Sequence, residues 1–205
     1  MNLLLKNGRV VDPANGRDGQ FDVLIADGVI SRVGRDLSAD GAEVFEVARG
    51  WVVTPGLIDV HVHLREPGQE HKETWETGVL AALRGGVTTV YDMPNTDPPL
   101  TTAERLVEKA RLVGARSIAY RFWFGSTPDN GDEIAAVMLD ERIVGVKTFL
   151  GSSTGDLLVT EDTDLYRIAS LCAAHERIWG VHCEDEALLQ RKRARLGRPP
   201  RVADH

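Results

Sequence analysis

Gly56-Leu57-Ile58-Asp59-Val60-His61-Val62-His63-Leu64-Arg65-Glu66-Pro67-Gly68 is an apolar run that ends in a turn. Read as a strand over 57–63, it places Asp59, His61 and His63 on one face and Ile58, Val60 and Val62 on the other, because side chains alternate with period 2. Two neutral imidazoles at i and i+2 can hold one divalent cation from a single strand, since they stand close and point the same way. The plainer reading is a solvated strand end with incidental histidines. What the rest of the chain places beside them decides between the two.

Upstream, residues 2–53 read as short strands broken by turn signals: 3–6, Asn7-Gly8, 9–11, 21–25, Asp27-Gly28 and 29–33. Asn-Gly and Asp-Gly between apolar runs predict hairpins, because both residues tolerate positive φ. Residues 44–47 and 51–54 add strands, and Thr54-Pro55-Gly56 punctuates a boundary. Residues 1–54 are therefore expected to form a small all-β unit and 55–205 a second domain.

Downstream the texture changes to alternating strands and helices. A helical pattern over 74–84, with Trp75, Val79, Ala82 and Leu83 on one stripe, stops at Gly85-Gly86. Residues 87–91 then read as a buried strand closing on Asp92. Thr102 caps a helix to 113, before a strand over 117–124. A short helix over 134–139 precedes a strand over 143–150. A helix from Asp162 or Thr163 to 174 precedes a strand over 178–182, and a last helix over 187–196 stops at Gly197 and Pro199.

Five strand–helix units predict a parallel sheet, doubly wound or closed as a barrel. Asp59, His61, His63, Asp92, Asn95, Lys147 and His182 fall at or just after the C-terminal ends of four different strands, which is how a (β/α)8 barrel builds its site. A doubly wound sheet gathers its site at one switch point and usually carries a Gly-rich phosphate loop, which this sequence lacks. A full barrel needs eight units in roughly 250 residues. About 150 follow the β unit, and the chain stops at Val202-Ala203-Asp204-His205 without a closing element. The expectation is an α/β chain: a truncated (β/α)8 barrel of about five units preceded by a β segment.

The 205 residues, 42% of them hydrophobic, suffice for a real core and predict a soluble globular protein. A formal net charge of -7, from 24 basic and 31 acidic residues, leaves no basic footprint for nucleic acid. The cluster Arg191-Lys192-Arg193-Ala194-Arg195 reads as a solvated helix face. Cys172 and Cys183 sit in no paired motif, which fits a reducing cytoplasm better than a secreted scaffold. The N-terminus has neither a basic n-region nor a long apolar run, so no signal peptide or membrane span is expected.

Among the polar candidates, His182 ends Trp179-Gly180-Val181-His182 and precedes the acidic run Glu184-Asp185-Glu186. Alone it reads as structural; beside His61 and His63 it reads as a ligand from a separate element. Lys147 stands in an otherwise apolar strand, where an ammonium is costly to bury and cannot ligate a cation. It must be paired, snorkelled to solvent or modified. Carboxylated by CO2, it becomes a carbamate with two oxygens, suited to bridging divalent ions about 3.5–4 Å apart. Arg65 and Asn95 form a second constellation that can grip a carboxylate, since a guanidinium fork matches that group; the alternative for each is a loop-stabilising hydrogen bond.

Four motifs in this order carry a family resemblance: Asp59-Val60-His61-Val62-His63-Leu64-Arg65-Glu66-Pro67-Gly68; Asp92-Met93-Pro94-Asn95-Thr96; Val146-Lys147-Thr148-Phe149-Leu150-Gly151-Ser152-Ser153-Thr154-Gly155; and Val181-His182-Cys183-Glu184. Together they resemble the N-terminal half of the dihydroorotases of the cyclic amidohydrolase superfamily. Asn7-Gly8-Arg9-Val10-Val11-Asp12-Pro13 resembles the start of the small β-sandwich that these enzymes carry beside the barrel. The resemblance implies a metal-dependent hydrolase barrel with two zinc ions. His61 and His63 fall on one metal, carboxylated Lys147 on both, and His182 on the second. It further implies that Arg65 and Asn95 hold the carboxylate of dihydroorotate. A further histidine ligand and a catalytic aspartate are expected on strands beyond the end of the chain.

The activity implied is reversible interconversion of N-carbamoyl-L-aspartate and (S)-dihydroorotate in pyrimidine biosynthesis, by metal-assisted hydrolysis of a cyclic amide. Two alternatives stay open. One is hydrolysis of another cyclic ureide, hydantoinase-like or allantoinase-like; the other is a catalytically silent dihydroorotase-like partner protein. Expected partners are a small-molecule substrate, with no nucleic acid and no membrane. Self-association and association with another pyrimidine enzyme also stay open. Asp59 is left between orienting a histidine and contacting a metal.

Overall fold

The computed structural model describes residues 2–151, 157–199 and 201–204, and the chain divides into two compact units, Met1–Gly56 and Leu57–His205. Ser152, Ser153, Thr154 and Gly155 of the third motif, and His205 at the chain end, lie outside the described residues.

The first unit is one sheet of β1 (Leu3–Asp12), β2 (Arg17–Ala26), β3 (Val29–Gly34), β4 (Glu43–Glu46) and β5 (Val52–Val53). Its order is β3-β2-β1-β4, with β5 also on β1. Asp27 and Gly28 take φ of 51° and 78° and turn β2 into the antiparallel β3, the hairpin that the Asp-Gly pair predicts. Asn7-Gly8 does not make a hairpin. Residues 3–12 are one strand, and Asn7, at φ 57°, forms a bulge where the register against β2 shifts between Leu5 and Gly8. The buried carboxylate of Asp22 pins that bulge, accepting the Asn7 N–H at 2.8 Å and the Leu37 N–H at 3.0 Å. A positive-φ pair serves a turn or a bulge equally well, and here a side chain fifteen residues away decides.

The second unit alternates without a break: β6 (Leu57–Val62), α1 (Trp75–Arg84), β7 (Val87–Asp92), α2 (Ala103–Val113), β8 (Ala119–Gly125), α3 (Gly131–Val137), β9 (Ile143–Phe149), α4 (Asp162–Ala174), β10 (Ile178–His182) and α5 (Glu186–Leu196). Helix starts follow local chemistry. The Thr74 and Thr102 hydroxyls accept the Thr77 and Arg105 N–H groups, and the Asp185 carboxylate accepts that of Leu188. The five strands are parallel in the order β10-β9-β8-β7-β6. Sequence neighbours are spatial neighbours throughout, so the sheet has no switch point; this is the strand order of a barrel wall rather than of a doubly wound sheet.

The convex face of the sheet and the helices enclose one core, with Trp75, Leu106, Phe122, Phe124, Ile134, Val146 and Ile168 among its members. The concave face carries the polar residues. Trp123 lies across it, donating its indole N–H to the Val60 carbonyl at 2.9 Å. A Cβ at position 180 would come within 2.9 Å of that ring, so β10 needs a glycine there. Ile58 and Val60, on the convex side of the edge strand β6, are exposed. So are Arg191, Lys192, Arg193 and Arg195 on α5, which buries nothing among the described residues, as the solvated-face reading predicts.

Candidate metal centre

Because β6 alternates, Asp59 and His61 share a face, and His63 follows just past the strand end. The two rings are neighbours, with centroids 5.4 Å apart. Asp59 turns back on its own strand, where its carboxylate accepts the His61 N–H at 3.1 Å. An edge strand leaves such groups without a sheet partner. Burial lowers the pKa of His61 from its ordinary value, and the charges of Lys147 and His182 lower it further against the opposing pull of Asp59. Burial likewise lowers that of His63, helped by Arg65 and opposed by its hydrogen bond to Asn95. Both rings therefore favour the neutral form, the form that ligates a metal.

His63 has a fixed orientation. Its Nδ1 lies 2.9 Å from Asn95 Oδ1. An amide oxygen only accepts, so Nδ1 carries the proton and Nε2 keeps the free lone pair. Asn95 is thus occupied by the histidine through its oxygen, and its NH2 remains as a donor.

Lys147 lies on β9 between Gly125 of β8 and Gly180 of β10, two neighbours without side chains. It is buried, and its Nζ sits 5.3 Å from the Phe149 ring centroid. No hydrogen bond or ion pair to that Nζ is found among the described residues. Burial lowers its pKa from the ordinary lysine value. His182, paired with Phe149 across the strands, directs Nε2 to Glu184 Oε2 at 3.2 Å. Among the described residues no three His, Cys, Asp or Glu side chains converge into a metal-holding group. The structure therefore pairs His61 with His63 and brings Lys147 and His182 within electrostatic reach of His61, while His182 leans on its own loop.

The loop after β6 is held tightly. Arg65 takes φ 62°, and its Nη1 is buried without a hydrogen-bond partner among the described residues. The Glu66 N–H donates to Leu64 O, and the Gln69 N–H donates to Arg65 O. The Glu66 carboxylate accepts the Trp75 N–H at 2.9 Å, at the first turn of α1. The Gln69 amide reaches the Asn95 carbonyl at 3.2 Å, and the Asp97 N–H reaches the Pro67 carbonyl at 3.0 Å, locking this loop to the one after β7. Gly68 sits at the crossing with φ 87°, where a Cβ would lie 2.0 Å from Asp97 O.

Asp92 ends β7, as the sequence places it, but its side chain lies outside the metal-facing group. It accepts the Leu64 N–H at 2.9 Å and pairs with Lys109 Nζ of α2 at 2.6 Å. The sequence reading has no role for Lys109 or Gln69. For Lys109 a signal existed: it shares the buried stripe of α2 with Leu106 and Val113, and a cation there requires a counter-charge.

The amidohydrolase family profile matches residues 52–197. The dihydroorotase of Lactococcus lactis subsp. lactis (strain IL1403) is 50% identical over 189 residues, covering 92% of this chain and 44% of that protein. The dihydroorotase of Bacillus cereus (strain G9842) is 37% identical over 193 residues, covering 93% and 44%. Among solved structures, L-hydantoinase (dihydropyrimidinase) from Arthrobacter aurescens superposes with a TM-score of 0.86 at 29% identity, covering 95% of this chain and 43% of the other. The chain thus spans under half the length of these relatives.

Proposed function

Because this chain belongs to the amidohydrolase family, we propose that it forms the metal-binding and carboxylate-gripping wall of a dihydroorotase, which interconverts N-carbamoyl-L-aspartate and (S)-dihydroorotate. One observation carries the reading: Arg65 holds a buried guanidinium nitrogen without a partner among the described residues, on the loop that begins with the paired histidines. A desolvated donor of that kind is unfavourable until an anion reaches it. The 50% identity to a dihydroorotase supports the same substrate.

The family is generally metal-dependent, and the residues here fit a pair of divalent ions. His61 and His63 are adjacent and biased to the neutral form. Lys147 is a buried amine with a lowered pKa and no counter-ion among the described residues. A larger fraction of free amine favours uptake of CO2, and the carbamate supplies the anionic oxygens that imidazoles lack. We assign His61, His63, Lys147 once carboxylated, and His182 once its ring leaves Glu184 as the residues that would hold two zinc ions. When bound, the ions supply an acidified water and a polarised carbonyl.

The chain's own residues then do the positioning. Asn95 Oδ1 fixes the His63 tautomer, so that Nε2 keeps the lone pair that would ligate a metal. Arg65 and the Asn95 NH2 hold the substrate carboxylate, setting the ring against the ligand face. Trp123, across the concave face, is fixed by its bond to the Val60 carbonyl and gives the site a rigid apolar floor. The aspartate that carries the proton to the leaving nitrogen is expected outside this chain. A cytoplasmic location, and self-association or docking to another pyrimidine enzyme, belong to the same proposal; no described helix is long and apolar enough to cross a membrane.

The test is zinc titration of the complete protein with dihydroorotate, hydantoin and allantoin as substrates. Ring opening of dihydroorotate is expected, and Arg65→Ala should lower kcat/KM by about 100-fold or more. Preferential turnover of a ureide without a carboxylate, or no effect of Arg65→Ala, would sink the substrate assignment.

A further inference from the structure

We propose that the Asp92–Lys109 ion pair is a positioning device for the segment from His63 to Arg65, an inference that rests on the function proposed above. Asp92 uses both of its oxygens. Oδ1 accepts the Leu64 N–H at 2.9 Å, and Oδ2 meets Lys109 Nζ at 2.6 Å. The two side chains are 0% and 3% exposed, so water does not share either contact. Leu64 is the single residue between a candidate metal ligand and the candidate carboxylate clamp. Its own side chain is buried in the core, and a Cβ on Gly78 of α1 would approach it to 2.3 Å.

The pair ties three elements to that point. Asp92 ends β7, and its neighbour Met93 donates its N–H to Val62 O at 2.9 Å, so the ends of β6 and β7 are stitched on both sides of His63. Lys109 stands on α2 among Leu106 and Val113, with Nζ 5.4 Å from the Phe122 ring centroid. A buried ion pair is a weak source of stability compared with apolar side chains of the same volume. Its distinctive product is position: the buried cation at 2.6 Å from Oδ2, a charge contact without hydrogen-bond geometry, holds the carboxylate where Oδ1 meets the Leu64 N–H. Among the described residues neither Asp92 nor Lys109 hydrogen-bonds a candidate ligand side chain; the link to the segment is the Leu64 backbone, beside the charge of Asp92 felt by His63.

The experiment compares Lys109→Met, Asp92→Asn and the double variant in the complete protein. It reads amide hydrogen exchange at Leu64, zinc affinity by chelator competition, the thermal midpoint, and kcat and KM for dihydroorotate. Each single variant should speed Leu64 exchange, weaken zinc by about tenfold, and raise KM more than it lowers kcat. The double variant leaves no uncompensated charge, so its midpoint should recover while zinc affinity and KM stay impaired; it carries the test if a single variant fails to fold. Variants that lower only the midpoint, or a double variant that restores every readout, overturn the proposal. If the parent protein does not turn over dihydroorotate while exchange and zinc affinity still respond, the substrate reading falls and the positioning role stands.

Discussion

Gly68→Ala is the sharpest single perturbation of the two-loop arrangement. The residue sits at φ 87°, and an added Cβ would lie 2.0 Å from Asp97 O, with Asp97 Cβ at 2.6 Å. These are backbone and near-backbone atoms, so no flexible tip can yield, and the loops must part by roughly an ångström or more. Left-handed backbone at alanine costs about 1–2 kcal/mol. Separation also breaks the Asp97 N–H to Pro67 carbonyl bond and loosens the Gln69 bond to Asn95, each worth about 0.5–1.5 kcal/mol. The expected loss is about 2–4 kcal/mol, a drop in Tm of roughly 5–15 °C. Arg65 and Asn95 ride on the separated loops, and a displacement of about 1 Å at positioning groups costs roughly 100-fold in rate. Gly86→Ala is the control: its φ is 78°, but a Cβ there meets nothing within 4 Å. It should lose about 1–2 kcal/mol and leave kinetics unchanged. Thermal unfolding with steady-state kinetics decides, and kcat/KM within about threefold of the parent for Gly68→Ala would refute the coupling of the loops to the site.

Three more outcomes follow. Lys147→Ala should abolish the second metal equivalent in zinc titration, and a short added carboxylate should restore part of it by supplying the missing oxygens; full metal loading without rescue would remove Lys147 from the ligand set. Asn95→Ala frees the His63 ring and should weaken zinc by about 10–100-fold, read by chelator competition, and unchanged affinity would leave Asn95 a substrate contact alone. The pH dependence has a definite sign: His61 and His63 are held below the ordinary value of 6.5, so the unfolded chain binds more protons just below that pH. Their contribution to stability is present above 6.5 and lost as pH falls through the lowered values. The stability of the metal-free protein against unfolding should fall as pH is lowered from about 6.5 to about 5, and His63→Gln should flatten that slope.

The alternation of β6 through α5 was legible in the sequence because each βα unit is a short-range object: a buried run, a glycine or capping residue, then a stripe of period 3.6. Thr102 and Gly197 mark helix ends by local hydrogen bonding and backbone conformation alone. What stayed hidden depends on partners far along the chain. Asn7-Gly8 reads as a turn until Asp22 captures its N–H. Asp92 reads as a site residue by its place at a strand end. Yet it shares a face with Val90, which is in the convex core, and period 2 alone would have turned it toward the helices. Asn95 was legible as a polar loop residue, but the bond of its oxygen to His63 requires the geometry of two loops at once. Asp59, left between two roles by the sequence, accepts the His61 N–H of its own edge strand, a contact that only the folded strand edge shows.

The Arg65 backbone shows why such long-range contacts belong to function. A non-glycine residue at φ 62° is strained and persists only where its surroundings over-determine it. Here they do: the Leu64 N–H goes to Asp92, the Glu66 N–H to Leu64, the Gln69 N–H to the Arg65 carbonyl, and the Glu66 side chain to the first turn of α1. These four anchors hold the backbone that carries Arg65. Ordering a residue's backbone costs about 1–2 kcal/mol, and in this loop that cost is met during folding rather than during binding. The Nη1 without a partner among the described residues is the other half of the same arrangement, since a donor already satisfied by the protein would gain little from substrate. Under the proposed function, strain in the backbone and an open donor on the side chain serve one end: a cation held ready for an anionic ligand.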